Sequence, residues 1–120
     1  MSEGIVLFAH GSREREWARP FEALARAVSQ KTNAQVQLAF LEQMQPSLDD
    51  AIAALASKAV ASIRIVPVFL GRGGHITDDL PRLIAGIRER HPHITIQMET
   101  PIGEQTAVID AIAAAIAGGR

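Results

Sequence analysis

The sequence predicts an α/β fold: a three-layer sandwich with a four-stranded parallel sheet flanked by helices. Two observations predict it. Four short apolar runs of strand length alternate with four segments whose apolar residues recur at helical spacing. That βαβαβαβα order calls for crossover connections, hence parallel strands with helices on both faces. The second observation is scale. With 120 residues, 48% hydrophobic and 21% charged, the chain has the size and composition of one globular domain, taken here as 1–120.

The elements follow in order. "GIVLFA", Gly4 to Ala9, is the first strand. Trp17, Phe21, Leu24, Ala25 and Val28 then form one face of a helix. "QVQLAFL", Gln35 to Leu41, is the second strand, and its polar-apolar start marks it as less buried. Ser47 and Asp50 have the spacing of a capping box, opening a helix that carries Leu48, Ile52, Leu55 and Ala59. "SIRIVPVFL", Ser62 to Leu70, is the third strand; Pro67 cannot donate to a ladder, so it marks a bulge or the last paired turn.

The glycine-rich "GRGGHITDD" leads into a third helix, with Thr77 or Asp78 as its cap, Pro81 in its first turn, and Leu80, Leu83, Ile84 and Ile87 on one face. "HPH", His91 to His93, ends that helix in an exposed turn. "ITIQME", Ile94 to Glu99, is the fourth strand, and "TPIGEQ" turns into a last helix bearing Val108, Ile109, Ile112 and Ile116.

Composition narrows the function. A formal net charge of −1 speaks against broad binding to nucleic acid or an anionic membrane. One Trp, four Phe and no Tyr supply few platforms for stacking bases. Without cysteine, a metal must be held by nitrogen and oxygen ligands. "MSEG" has none of the features of a secretory signal, and no apolar run approaches the ~20 residues of a membrane span. The expectation is a cytoplasmic protein.

Three residues stand at successive strand ends: His10 after the first, Glu42 after the second, and His75 in the glycine-rich loop after the third. They are 32 and 33 positions apart, and in a parallel sheet these ends face one way, where such sheets bind ligands. Two imidazoles and a carboxylate make an open site for a divalent first-row metal. Singly, each has a simpler account: a histidine bonded to a loop, or a solvated glutamate. Gly11, Gly71, Gly73 and Gly74 either give room for a large ligand or permit turns. "GRGG" is no P-loop, because no Gly-Lys-Ser/Thr follows. Ser12 has no acid partner for a triad. Arg13, Arg15 and Arg72 could meet carboxylates of an acidic substrate or be ordinary surface charge.

These stretches together resemble one family. "HGSR" (His10 to Arg13), "FLE" (Phe40 to Glu42), "PSL" (Pro46 to Leu48), "PVFLGRGGH" (Pro67 to His75), "DDLP" (Asp78 to Pro81) and "TPIG" (Thr100 to Gly103) run in the order found in short-form CbiX-type sirohydrochlorin cobaltochelatases of the class II chelatase superfamily. The resemblance implies a chelatase half-domain that inserts a divalent metal into sirohydrochlorin without ATP, in cobalamin or a related tetrapyrrole pathway. Cobalt(II) is the implied metal, with nickel or iron as alternatives, and no cofactor beyond this substrate metal. It implies that His10 and His75 bind the metal and act with Glu42 in catalysis. Ser12, Arg13, Gly71, Arg72, Gly73 and Gly74 fall at the positions that would meet the macrocycle. The segment after "HGSR", "EREWARPF", departs from the family's asparagine-containing version. Longer relatives hold two such halves, so a single half implies a homodimer. Two other readings compete: a metal-binding or delivery module using the same residues, and a histidine phosphatase, which would need an arginine where Ala9 stands.

Overall fold

A computed structural model describes residues 2–71 and 74–119, with backbone alone at Ser2 and at 74–78. The strands are β1 (Ser2–Ala9), β2 (Gln35–Phe40), β3 (Val60–Pro67) and β4 (Thr95–Met98). The helices are α1 (Arg19–Lys31), α2 (Leu48–Ala56), α3 (Gly74–Arg90) and α4 (Thr106–Gly118), and 3-10 turns at Arg15–Ala18 and Ile102–Glu104 lead into α1 and α4. All pairings are parallel and the strand order is β2-β1-β3-β4. The βαβαβαβα reading therefore holds.

Alternation along the strands sorts the core into two layers. Val6 and Phe8 of β1, Ile63 and Ile65 of β3 and Ile96 of β4 meet Ile52 and Leu55 of α2 and Ile84 and Ile87 of α3. On the other face Ile5, Leu7 and Ala9 join Val36, Leu38 and Phe40 of β2 beneath Phe21, Ala25 and Val28 of α1. Pro67 is the last residue of β3 and pairs with Phe8, so the last-paired-turn reading of that proline is right. The capping box also forms: the Ser47 Oγ accepts from the Asp50 N–H at 3.2 Å.

Three expectations need correction. Helix α2 ends at Ala56, and Ala59 takes φ 59° in the turn beyond it. The apolar period ran on because an alanine carries too little surface to mark an end. Helix α3 begins at Gly74, before either expected cap, so Thr77 and Asp78 lie within it and Pro81 is interior to it. A capping residue also suits the early turns of a helix, where carboxylates favour the positive end of the dipole, so the cap signal did not fix the start. Finally, the apolar residues of α4 do not form a buried face: Ile109, Ile112 and Ile116 are exposed. Helical periodicity tells which side of a helix seeks burial, not what it is buried against.

Candidate functional site

The strand order puts one point of the sheet in a special place. From β1 the chain crosses to β2 on one side, while β3 lies on the other side of β1. Connections diverge there, and open α/β sheets form their ligand crevice at this switch point, beyond the carboxyl ends of the strands. His10 is the first residue past the end of β1.

Pairing continues beyond the strands and brings the candidates together. The Leu41 N–H donates to the Ala9 carbonyl at 2.9 Å, and the Glu42 N–H to the His10 carbonyl at 3.1 Å. His10 and Glu42 are thus joined through their backbones, with both side chains exposed. This closeness depends on Gly11, whose φ is +100° and where a Cβ would stand 1.8 Å from the Glu42 carbonyl oxygen. Any side chain at this position would drive the two loops apart.

The His10 ring meets the edge of Phe69, with ring centres 5.7 Å apart at 89°. Phe69 is buried and rests on Phe8, with centres 6.2 Å apart. An exposed imidazole is therefore oriented by a core aromatic ring, which limits the rotations it samples. Beside it opens a cavity of about 420 Å³ that His10 shares with Trp17, Phe21, Phe69 and Leu70. Its walls are broad and largely apolar, suited to the face of a flat ring system.

Phe69 and Gly103 enter the sequence reading within "PVFLGRGGH" and "TPIG", Phe69 with Leu70 also as an apolar edge for a second copy, and Trp17 and Phe21 as helix-face residues; none is read as part of the site. Gly103 supports the β3 end from the loop after β4: its N–H donates to the Phe69 carbonyl at 2.9 Å, and a Cβ there would stand 2.1 Å from the Leu70 carbonyl oxygen. The "TPIG" stretch was the one signal for it.

The remaining candidates are placed as follows. The Ser12 Oγ accepts from the Glu14 N–H at 3.0 Å, shaping the loop that leads to the 3-10 turn. Arg13 and Arg15 are exposed, and Gly71 is open, with nothing within 4 Å of a Cβ built there. The backbone of Gly74 and His75 forms the first turn of α3, so His75 belongs to a helix N-terminus rather than a loop. Arg72, Gly73 and the His75 side chain lie outside the described residues. Among the described residues, no group of three or more His, Asp or Glu is placed to hold a metal ion. His93 is exposed and His91 half-buried, at the end of α3.

A parallel sheet with a histidine at its switch point and an aromatic crevice beside it places the chain among α/β half-domains with a candidate site at their strand ends. The comparisons carry this further. The CbiX family model matches residues 4–118, and the chain belongs to the CbiX family. It is 36% identical over 83 residues to the sirohydrochlorin cobaltochelatase of Methanosarcina acetivorans, covering 68% of this chain and 64% of that one. With the chloroplastic sirohydrochlorin ferrochelatase of Arabidopsis thaliana it shares 28% identity over 112 residues, 92% of this chain and 50% of that one. The crystal structure of a CbiX protein from Marinobacter aquaeolei superposes with a TM-score of 0.86 at 30% identity, over 97% of this chain and 95% of the other. The chain thus spans about half to two thirds of the length of these two curated relatives. No described helix is long and apolar enough to cross a membrane.

Proposed function

We propose that the protein inserts a divalent metal, cobalt(II) in the first instance, into sirohydrochlorin without ATP, as a cytoplasmic homodimer. The observation that carries this reading is His10: exposed at the switch point, oriented by Phe69, backbone-bonded to Glu42 and open to an aromatic crevice.

Insertion sets two demands. Water ligands must leave the metal as macrocycle nitrogens replace them, and two inner pyrrole protons must be taken up. A neutral imidazole can serve as ligand or as base near physiological pH. In this reading His10 and His75 hold the incoming metal through ring nitrogens and Glu42 takes a proton from the macrocycle. Few protein ligands is the sensible number, because the metal is substrate and must be released into the ring. Trp17 and Phe69 offer the ring an apolar wall. Arg13 and Arg72 would orient the eight carboxylates of sirohydrochlorin by charge-assisted hydrogen bonds, with Ser12, Gly71, Gly73 and Gly74 giving the macrocycle room at the loops.

Iron is the second reading for the metal, favoured by the ferrochelatases among the relatives. Anaerobic incubation of sirohydrochlorin with the protein and cobalt(II) or iron(II), followed by absorbance, tests both. Faster cobalt insertion supports the first reading and faster iron insertion the second. Metal binding with no change in the macrocycle spectrum makes the protein a carrier and overturns the chelatase reading. Glu42→Gln keeps the shape and removes the base, so it should lower turnover about 10-fold or more, at the low end of general-base effects, with metal affinity little changed. Titration calorimetry beside the absorbance assay checks this; a tenfold loss of affinity with normal turnover would make Glu42 a ligand instead.

A further inference from the structure

Strand alternation carries one more pair of side chains past the end of the β1–β3 ladder. Phe8 pairs with Pro67 in parallel register, and beyond that pair the Val68 N–H still donates to the Phe8 carbonyl at 2.9 Å. Two residues further along each chain stand His10 and Phe69, and a period of two returns both to the side of the sheet that carries Phe8. They meet there as cross-strand neighbours, with ring centres 5.7 Å apart and planes at 89°.

The two partners differ in freedom. Phe69 is fixed: it is 7% exposed, its ring rests on the buried Phe8, and its carbonyl accepts from the Gly103 N–H at 2.9 Å. With Val68 bonded to β1, the end of β3 is thus held from both sides. The His10 carbonyl is also held, by the Glu42 N–H at 3.1 Å, but its imidazole is exposed. Among the described residues, no carboxylate, carbonyl or hydroxyl accepts a hydrogen bond from the His10 ring. A histidine that binds a metal is commonly oriented by such a bond from its second ring nitrogen. Here the orienting contact is an aromatic ring. A perpendicular aromatic pair favours its own geometry by about 2- to 12-fold.

We propose that Phe69 is a positioning residue for His10: it stands in for the usual hydrogen-bond partner, keeps the imidazole in one staggered rotamer at the crevice, and thereby sets how tightly the incoming metal is held. Without the ring, His10 spreads over several rotamers, and apparent metal affinity falls in proportion to the population of the competent one. The weakness of the contact has a use. A carboxylate clamp would hold the imidazole rigidly on the metal, whereas an aromatic neighbour lets it turn away once the macrocycle nitrogens have taken over. That suits a metal that is substrate and must be given up. The proposal rests on the reading of His10 as a ligand to the incoming metal; the rotamer of His10 does not depend on the reaction.

Two measurements on the full chain without macrocycle test it, so that loss of an apolar wall for the ring does not enter. In nuclear magnetic resonance, with His10 assigned by comparison with His10→Ala, three-bond couplings about its χ1 should report a single rotamer. Phe69→Leu, which keeps an apolar side chain and loses the ring, should give averaged couplings. Titration with cobalt(II) alone should show Phe69→Leu binding about 2- to 12-fold more weakly. Phe69→Tyr keeps the ring and should retain the wild-type couplings and affinity. In the insertion assay the KM for metal should rise in Phe69→Leu by the same factor, more than kcat falls. A merely structural role would instead lower the urea midpoint and the active fraction and leave the KM for metal unchanged. Averaged couplings in the wild type overturn the proposal with no variant needed. Unchanged couplings or unchanged cobalt affinity in folded Phe69→Leu overturn it as well. Should that variant fail to fold, Phe69→Met, whose flexible side chain fills irregular space, takes its place. If the couplings and affinity shift as expected while the wild type inserts no metal, the positioning role stands and the chelatase reading falls. A wild type that binds no cobalt(II) overturns both.

Discussion

The two faces of the sheet are built to different standards. The face under α2 and α3 is closed: Phe8, Ile52, Leu55, Ile63, Ile65 and Ile87 are all essentially inaccessible, and side chains from all four strands interlock with two helices. The face under α1 is closed over β2 and β1 only, and carries the half-exposed Arg64 with its two glutamates where the other face carries isoleucine. The same four strands thus supply a filled core on one side and a partly vacant surface on the other. Stability is concentrated on the first. The candidate crevice and a neighbouring groove of about 590 Å³ over β3 both open on the second, where Phe21, Val68 and Leu70 line each of them. A scaffold anchored from one side can leave its other side free for ligands and partners.

Substitutions can break this contrast. Phe8→Ala, in the closed core, should cost about 3–5 kcal/mol, enough to unfold much of the population, whereas Val66→Ala, half-buried on the partly open face, should cost below about 1 kcal/mol. Urea denaturation measures both, and equal losses would abolish the distinction between the faces. On the functional side, His10→Ala or His75→Ala should reduce insertion at least about 100-fold while urea midpoints stay near the wild type. Wild-type turnover by either variant at saturating metal would remove the two-histidine site. Gly11→Ala links the two kinds of effect. The strained φ and the collision with the Glu42 carbonyl should cost about 1–3 kcal/mol and also displace His10 from Glu42, so stability and turnover should fall together. A loss of stability with unaltered turnover would mean that the spacing of the two residues is immaterial. Ser47→Ala removes a cap on the closed side and should cost about 1 kcal/mol with no change in turnover.

How far the sequence disclosed this molecule differs from element to element. Strands were legible because runs such as "GIVLFA" and "SIRIVP" leave little choice but a buried parallel ladder, and the Ser47 cap because its hydrogen bond is local. His10 and Glu42 were legible as strand-end residues, since order and length place strand ends. Their backbone connection was not: it depends on the rare conformation of Gly11, and a glycine in a sequence does not declare its φ. The contact of Phe69 with His10 was not legible, because an apolar residue in an apolar run carries no mark of the ring it will support. The course of α4 was hidden for a related reason. Its stripe has helical spacing, and spacing alone does not say that Ile109, Ile112 and Ile116 stand exposed.

The central position of β1 has a consequence for how the chain is made. Its Phe8 pairs with Ala39 on one side and with Pro67 on the other. The second partner emerges from the ribosome about 60 residues after the first strand, which at ~5–20 residues per second is a delay of roughly 3–12 s. During that interval the central strand of the protein has been synthesised with at least one hydrogen-bonding edge unclaimed, a state open to pairing with other nascent chains. Slower translation between β2 and β3 lengthens this window, so the yield of folded protein should be more sensitive to synonymous codons at 41–59 than to those encoding α4.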